Sequence, residues 1–112
     1  MADTARAYLA AGSSSAAAVA PTARLRLIGF SAVETAGATA KLSIQEGAGA
    51  SLPQEMAGIN LASGGSVQEW FGDHGLPCPG GIFVNRIEGA SRVVIFYRIS
   101  DRDKDSFDPP AW

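Results

Sequence analysis

The chain has 112 residues, of which 20 are alanine and 13 glycine; without alanine, about 32 of its hydrophobic residues remain to fill a core. That suffices for one domain and is too few for two. Nine Lys/Arg against eleven Asp/Glu give a net charge of −2, without the basic block that nucleic-acid binding calls for. One cysteine excludes an intrachain disulfide, one histidine leaves little for a metal site, and no stretch approaches the ~18 apolar residues of a membrane span.

Residues 1–23 hold ten of the alanines, with Tyr8, Leu9 and Val19 as the larger apolar residues beyond Met1. Ala18-Val19-Ala20 has the look of a signal cleavage site. Asp3 offsets Arg6, however, and Gly12-Ser13-Ser14-Ser15 breaks the apolar run a secretory signal needs, so the expectation is a chain used without export. Asp3 as N-cap and Gly12 at the far end frame a short helix over Thr4–Ala11, marginal at about two turns. The Ser/Ala run after it reads as a linker. This segment is therefore expected as an N-terminal arm, dispensable for folding of the body.

Residues 24–100 carry a strand pattern. Arg24 to Phe30 begins with alternation and then becomes apolar on both faces. Ala40 to Gln45 alternates cleanly, with Ala40, Leu42 and Ile44 on one face. A weaker strand surrounds Met56, Ile59 and Leu61, and another runs from Ser66 to Phe71. In the latter, one of Trp70 and Phe71 must face inward and the other outward. Gly81–Ile87 and Arg92–Ile99 are the strongest strands. Val93–Tyr97 is apolar on both faces, which demands a central position or an interface. Glycine-rich turns separate the strands. Six to eight short strands without a repeat predict an all-β antiparallel sandwich or jelly-roll.

Residues 101–112 form a charged tail with four acids and two bases, carrying Phe107, Pro109, Pro110 and Trp112. Aromatics are costly to leave in water, so a tether is one reading and a solvated end the other.

Catalytic signals are weak. Glu69, Asp73, His74 and Cys78 lie within ten residues. Yet Cys78 sits between Pro77 and Pro79 in no nucleophile motif, and reads as a small buried hydrophobe. His74 reads as a turn residue. Gly64-Gly65 and Gly80-Gly81 lack the Lys-Ser/Thr and helix start of a phosphate loop. No catalytic residue, cofactor or metal site is expected.

The run Glu69-Trp70-Phe71-Gly72-Asp73-His74-Gly75-Leu76-Pro77-Cys78-Pro79-Gly80-Gly81-Ile82 resembles small β-sandwich virion proteins of tailed bacteriophages, where a strand ending Trp-Phe/Tyr-Gly precedes a Cys- and Gly-containing turn. Tyr97-Arg98 and Ala40 to Gly47 fit the same pattern, which spans about Leu25 to Arg98. The resemblance implies a non-enzymatic head decoration or cement subunit, or a tail protein, located in the virion after assembly in the host cytoplasm. The expected partners are the major capsid or other virion proteins. Separately, the small core and the two-faced run Val93–Tyr97 point to a homo-oligomer, with a trimer favoured, and the charge and hydropathy pattern to neither nucleic acid nor membrane. Candidate interface residues are Tyr8, Leu9, Val19, Trp70, Phe71, Phe107, Pro109, Pro110 and Trp112. A receptor- or carbohydrate-binding sandwich using Trp70 or Phe71 is the alternative, and a Cys78 hydrolase ranks last.

Overall fold

The computed structural model describes residues 4–49 and 54–99. Among them are nine strands: β1 (Ala5–Gly12), β2 (Ala16–Val19), β3 (Leu25–Glu34), β4 (Ala40–Glu46), β5 (Glu55–Leu61), β6 (Ser66–Trp70), β7 (Leu76–Pro77), β8 (Ile82–Glu88) and β9 (Ser91–Ile99). Setting aside the two-residue β7, the strands pair from the ends inward. β1 pairs with β9, β2 with β8, β3 with β6 and β4 with β5, all antiparallel. The chain is thus one long hairpin doubled at the β4–β5 connection. It is rolled so that β9 also pairs β3 and β8 also pairs β4. The resulting sheets, β1-β9-β3-β6 and β2-β8-β4-β5, have the order of a jelly roll. The all-β sandwich expected from the alternation is the fold.

The inner faces follow the period-2 pattern. Ala40, Leu42 and Ile44 of β4 meet Leu25, Leu27, Phe30 and Ala32 of β3, with Val84, Val93 and Ile95 from the central strands. Val93–Tyr97 takes the central position in its sheet, between β1 and β3. Ser43 and Gln45 lie on the outer side of β4 yet are buried. Ser43 Oγ donates to Glu55 Oε2, and Gln45 Nε2 donates to Ser43 Oγ at 3.1 Å.

The N-terminal segment departs from expectation. Residues 4–11 form no helix and the segment is no free arm: β1 adds to one sheet and β2 to the other. Ala5, Ala7 and Leu9 face inward while Arg6 and Tyr8 face out. A two-turn helix gains little in water, whereas this strand satisfies the open edge of β9 and packs the half-buried Leu9 on the core, so tertiary pairing overrides the capping signals. Arg86 fixes the crossing between the sheets. Its guanidinium donates to the carbonyls of Ser14, Leu9 and Ala10, and its own N–H donates to Ser15 Oγ at 2.8 Å. Burial lowers the Arg86 pKa, yet the group stays charged at neutral pH. The carboxylate of Glu34, at the end of β3, gathers the loops at one end of the sandwich. It accepts N–H bonds from Gly64, Ala38, Ala36 and Gly37. The tail over residues 101–112 lies outside the described residues.

Candidate interaction face

The outer face of the β1-β9-β3-β6 sheet is built from rows set by strand register. One row runs Arg6, Phe96, Gly29, Trp70, and the next Tyr8, Val94, Ser31, Gln68. A third holds Arg92, Val33 and Ser66. Trp70 is 57% exposed and Tyr8 63%. These two exposed aromatics stand at opposite edges of the same outer face, Tyr8 on β1 and Trp70 on β6.

Gly29 makes the first row possible. A Cβ there would lie 2.4 Å from the Glu69 carbonyl oxygen and 3.2 Å from the Trp70 ring. Without one, the indole leans over the backbone toward Phe96, with ring centroids 6.4 Å apart at a tilt of 58°. A tilted pair at that separation is favourable beyond its area. Phe71 turns the other way, packs on the core and meets Phe30 at a centroid distance of 6.0 Å.

At one end of this face the Gly72–Gly75 turn folds over the sheet. β6 and β7 both lie along the same edge of β3, so residues 71–75 are an excursion from an interrupted edge strand. Arg26 donates to the His74 carbonyl at 3.1 Å, and Arg98 donates to the Asp73 carbonyl at 2.7 Å and to Thr4 Oγ1. Beneath the turn Ile28, at the β-bulge of β3, is fully buried. Gly75 has φ of 65° and sits so close that a Cβ would lie 2.8 Å from Ile28 Cδ1. His74 is exposed in this turn, as its setting between glycines suggested.

Charge is distributed unequally between the two outer faces. Arg6, Arg26, Arg92 and Arg98 hold outer positions on β1, β3 and β9, and no Asp or Glu does so on β1, β3, β6 or β9. On the other sheet Lys41 stands opposite Glu88 across β4 and β8, and Glu55 caps Ser43. One face is therefore basic with Trp70 and Tyr8 exposed, the other mixed in charge, with Phe83 and the exposed Ile87 on its side.

Of the residues singled out in the sequence, Tyr8 and Trp70 lie on this face. Leu9 and Val19 do not: both pack on the chain's own core, because the segment that carries them is part of the sandwich. Phe71 belongs to the core side as well. Phe107, Pro109, Pro110 and Trp112 lie outside the described residues. Gly29 and Arg6 went unrecognised, and Val94, Phe96 and Arg92 were marked only as the two-faced run Val93–Tyr97 and its charged flank, not as neighbours of Trp70 and Tyr8. The alternation of Val94 and Phe96 with Val93 and Ile95 signals their outward direction, but only register shows that they adjoin Trp70 and Tyr8.

Two further features complete the chemical inventory. Cys78 is fully buried, its N–H donates to the Leu25 carbonyl, and burial, with Glu46 adding to it, pushes its thiol up to about 11. The thiol is thus protonated at neutral pH. Between the edge strands β5 and β6 lies a cleft of about 360 Å³, with Phe30, Ile59, Val67 and Phe71 on its walls and Glu69 among its lining. Among the described residues no group of three or more His, Cys, Asp or Glu side chains is placed to hold a metal ion. No protein-family model, curated protein or solved structure matches the chain.

Proposed function

We propose that this chain is a non-enzymatic structural subunit of a phage virion, a capsid decoration or cement protein that works as a homo-oligomer bound to capsid proteins. The observation that carries the reading is the jelly-roll sheet whose outer face presents Trp70, Phe96 and Tyr8 among arginines. A rigid sheet offering aromatic anchors and guanidinium groups suits adhesion to another protein surface, where such residues dominate binding. The resemblance of Glu69–Ile82 to virion proteins supports the same reading, and jelly rolls commonly serve as capsid building blocks. Fold alone assigns no function. Particles released by the strain that encodes the chain, purified through a density gradient, are expected to contain it in many copies by mass spectrometry. Its absence from intact particles sinks the proposal.

The alternative, a receptor- or carbohydrate-binding sandwich of the tail, draws on one observation: the exposed Trp70 ring is a platform on which a sugar could stack. Binding on a glycan array that Trp70→Ala removes, by a chain found in tails rather than heads, would favour it.

A further inference from the structure

We infer that the basic aromatic face of the β1-β9-β3-β6 sheet is the receptor for the acidic segment 101–112 of a neighbouring copy, so that subunits join head to tail. The inference rests on the reading of the chain as a self-assembling subunit and names the contact through which it assembles.

Complementarity supplies the first argument. The open part of the face carries Arg6 and Arg92 with no acidic outer-face position on its strands, while Arg26 and Arg98 are engaged by the Gly72–Gly75 turn that carries Asp73. The segment carries Asp101, Asp103, Asp105 and Asp108 against Arg102 and Lys104, and adds Phe107 and Trp112. Opposite potentials steer and orient such contacts, while aromatic side chains anchor them. Two copies of the face brought together would instead place arginines against arginines, so an isologous pairing of this sheet with itself is disfavoured.

Reach supplies the second. The segment follows β9, the central strand of this sheet, and leaves from its Ile99 end. Thirteen residues beyond Ile99 span up to about 40 Å when extended, enough to cross to an adjoining sandwich. The Gly72–Gly75 turn covers the sheet beside Arg98, at the Ile99 end of β9. The part of the face around Trp70, Phe96 and Tyr8 stays open. Contacts of this kind are heterologous and close into a ring when the rotation permits.

The test uses the full chain in two variants. A face variant carries Arg6→Glu, Arg92→Glu and Trp70→Ala; Arg26 and Arg98, which hold the turn, are kept. A tail variant carries Asp103→Lys, Asp105→Lys and Trp112→Ala. Sedimentation is expected to show the wild-type chain as an oligomer that weakens as NaCl rises, and each variant alone dissociating at least ~10-fold more readily. An equimolar mixture of the two variants is expected to form a 1:1 complex, since the intact segment of one meets the intact face of the other. Circular dichroism melts check that the face variant folds. The tail variant, which leaves residues 4–99 unchanged, carries the test by itself if the face variant does not. Wild-type-like oligomers from the tail variant, or two folded variants that fail to pair, overturn the inference and leave the virion reading standing. A wild-type chain that stays monomeric at every concentration overturns it too. Absence of the chain from particles overturns the virion reading, whatever the sedimentation shows.

Discussion

Gly29 is the residue on which the aromatic face depends. It lies opposite both Phe96 and Trp70, and any side chain there meets the Glu69 carbonyl oxygen, which is backbone and cannot swing away. Gly29→Ala is therefore expected to push β6 from β3 and displace the indole, at a cost of roughly 1–3 kcal/mol. Urea unfolding measures the cost, and an altered tryptophan emission reports the displacement. Glu34 works differently, as an anion ringed by N–H donors. The Gly64 bond is the largest influence on its carboxyl, opposed by burial and supported by Ala38, Ala36 and Gly37; the net result holds it below its ordinary 4.5. A carboxylate whose pKa is depressed on folding stabilises above its unfolded value and loses that contribution as pH falls through the folded value. Glu34→Gln should thus lower the urea midpoint at pH 7, and the gap from wild type should narrow as pH drops below about 4.5. A gap constant down to pH 2.5 would argue that the carboxylate's charge is immaterial.

At the level of elements, β1 and β2 carry the main revision. Removing residues 1–22 strips the partner strand from both β9 and β8 and uncovers a core against which Ala7, Leu9, Ala18 and Val19 pack. Leu9 and Val19 are half-buried, so each contributes a part of the about 1.5–3 kcal/mol that full burial of a Leu or Val is worth, and together a sizeable share of the margin by which so small a domain is folded. The truncated chain is expected to lose its cooperative thermal transition; a sharp melt within a few degrees of wild type would restore the picture of a dispensable arm. Arg86 serves the same strands from β8. Arg86→Met leaves the carbonyls of Leu9, Ala10 and Ser14 without their donor, with an expected loss of roughly 1–3 kcal/mol. Hydrogen exchange should quicken first at residues 9–15, before the central strands respond. The alternation Ala5-Arg6-Ala7-Tyr8-Leu9 was a strand signal in plain sight. It was outweighed by helix punctuation at Asp3 and Gly12 and by alanine, which suits a helix as readily as the narrow edge of a sandwich. β7 escaped for another reason: two residues before a proline-flanked cysteine have no period, and only the edge of β3 makes them a strand.

For the molecule as a whole, Cys78 is a built-in reporter. It lies within the core cluster, and its thiol, raised from an ordinary value near 9 to about 11, ionises less readily than in the unfolded chain. A raised folded value means that the stabilising contribution is intact below pH 9 and fades as pH climbs toward 11. Thiol reagents at pH 8 are expected to label Cys78 only as fast as the sandwich opens, and at the free-thiol rate in urea. Rapid labelling of the native chain would place the cysteine outside the core.

The period-2 alternation, glycine punctuation and lack of long helical stretches determined the sandwich, its turns and the need to cover Val93–Tyr97 on both sides, because side-chain direction along a strand is a local property. The opposed directions of Trp70 and Phe71 were legible for the same reason. Which of the two faces outward, and that Trp70 then meets Phe96 beside Arg6 and Tyr8, was decided only in three dimensions. That row joins residues from β1, β3, β6 and β9, brought together by pairing the first strand with the last. Such long-range register leaves no mark in any short window of the chain. The same pairing turned an alanine-rich leader into structural strands, since the open edges of β8 and β9 outweigh what the leader prefers by itself.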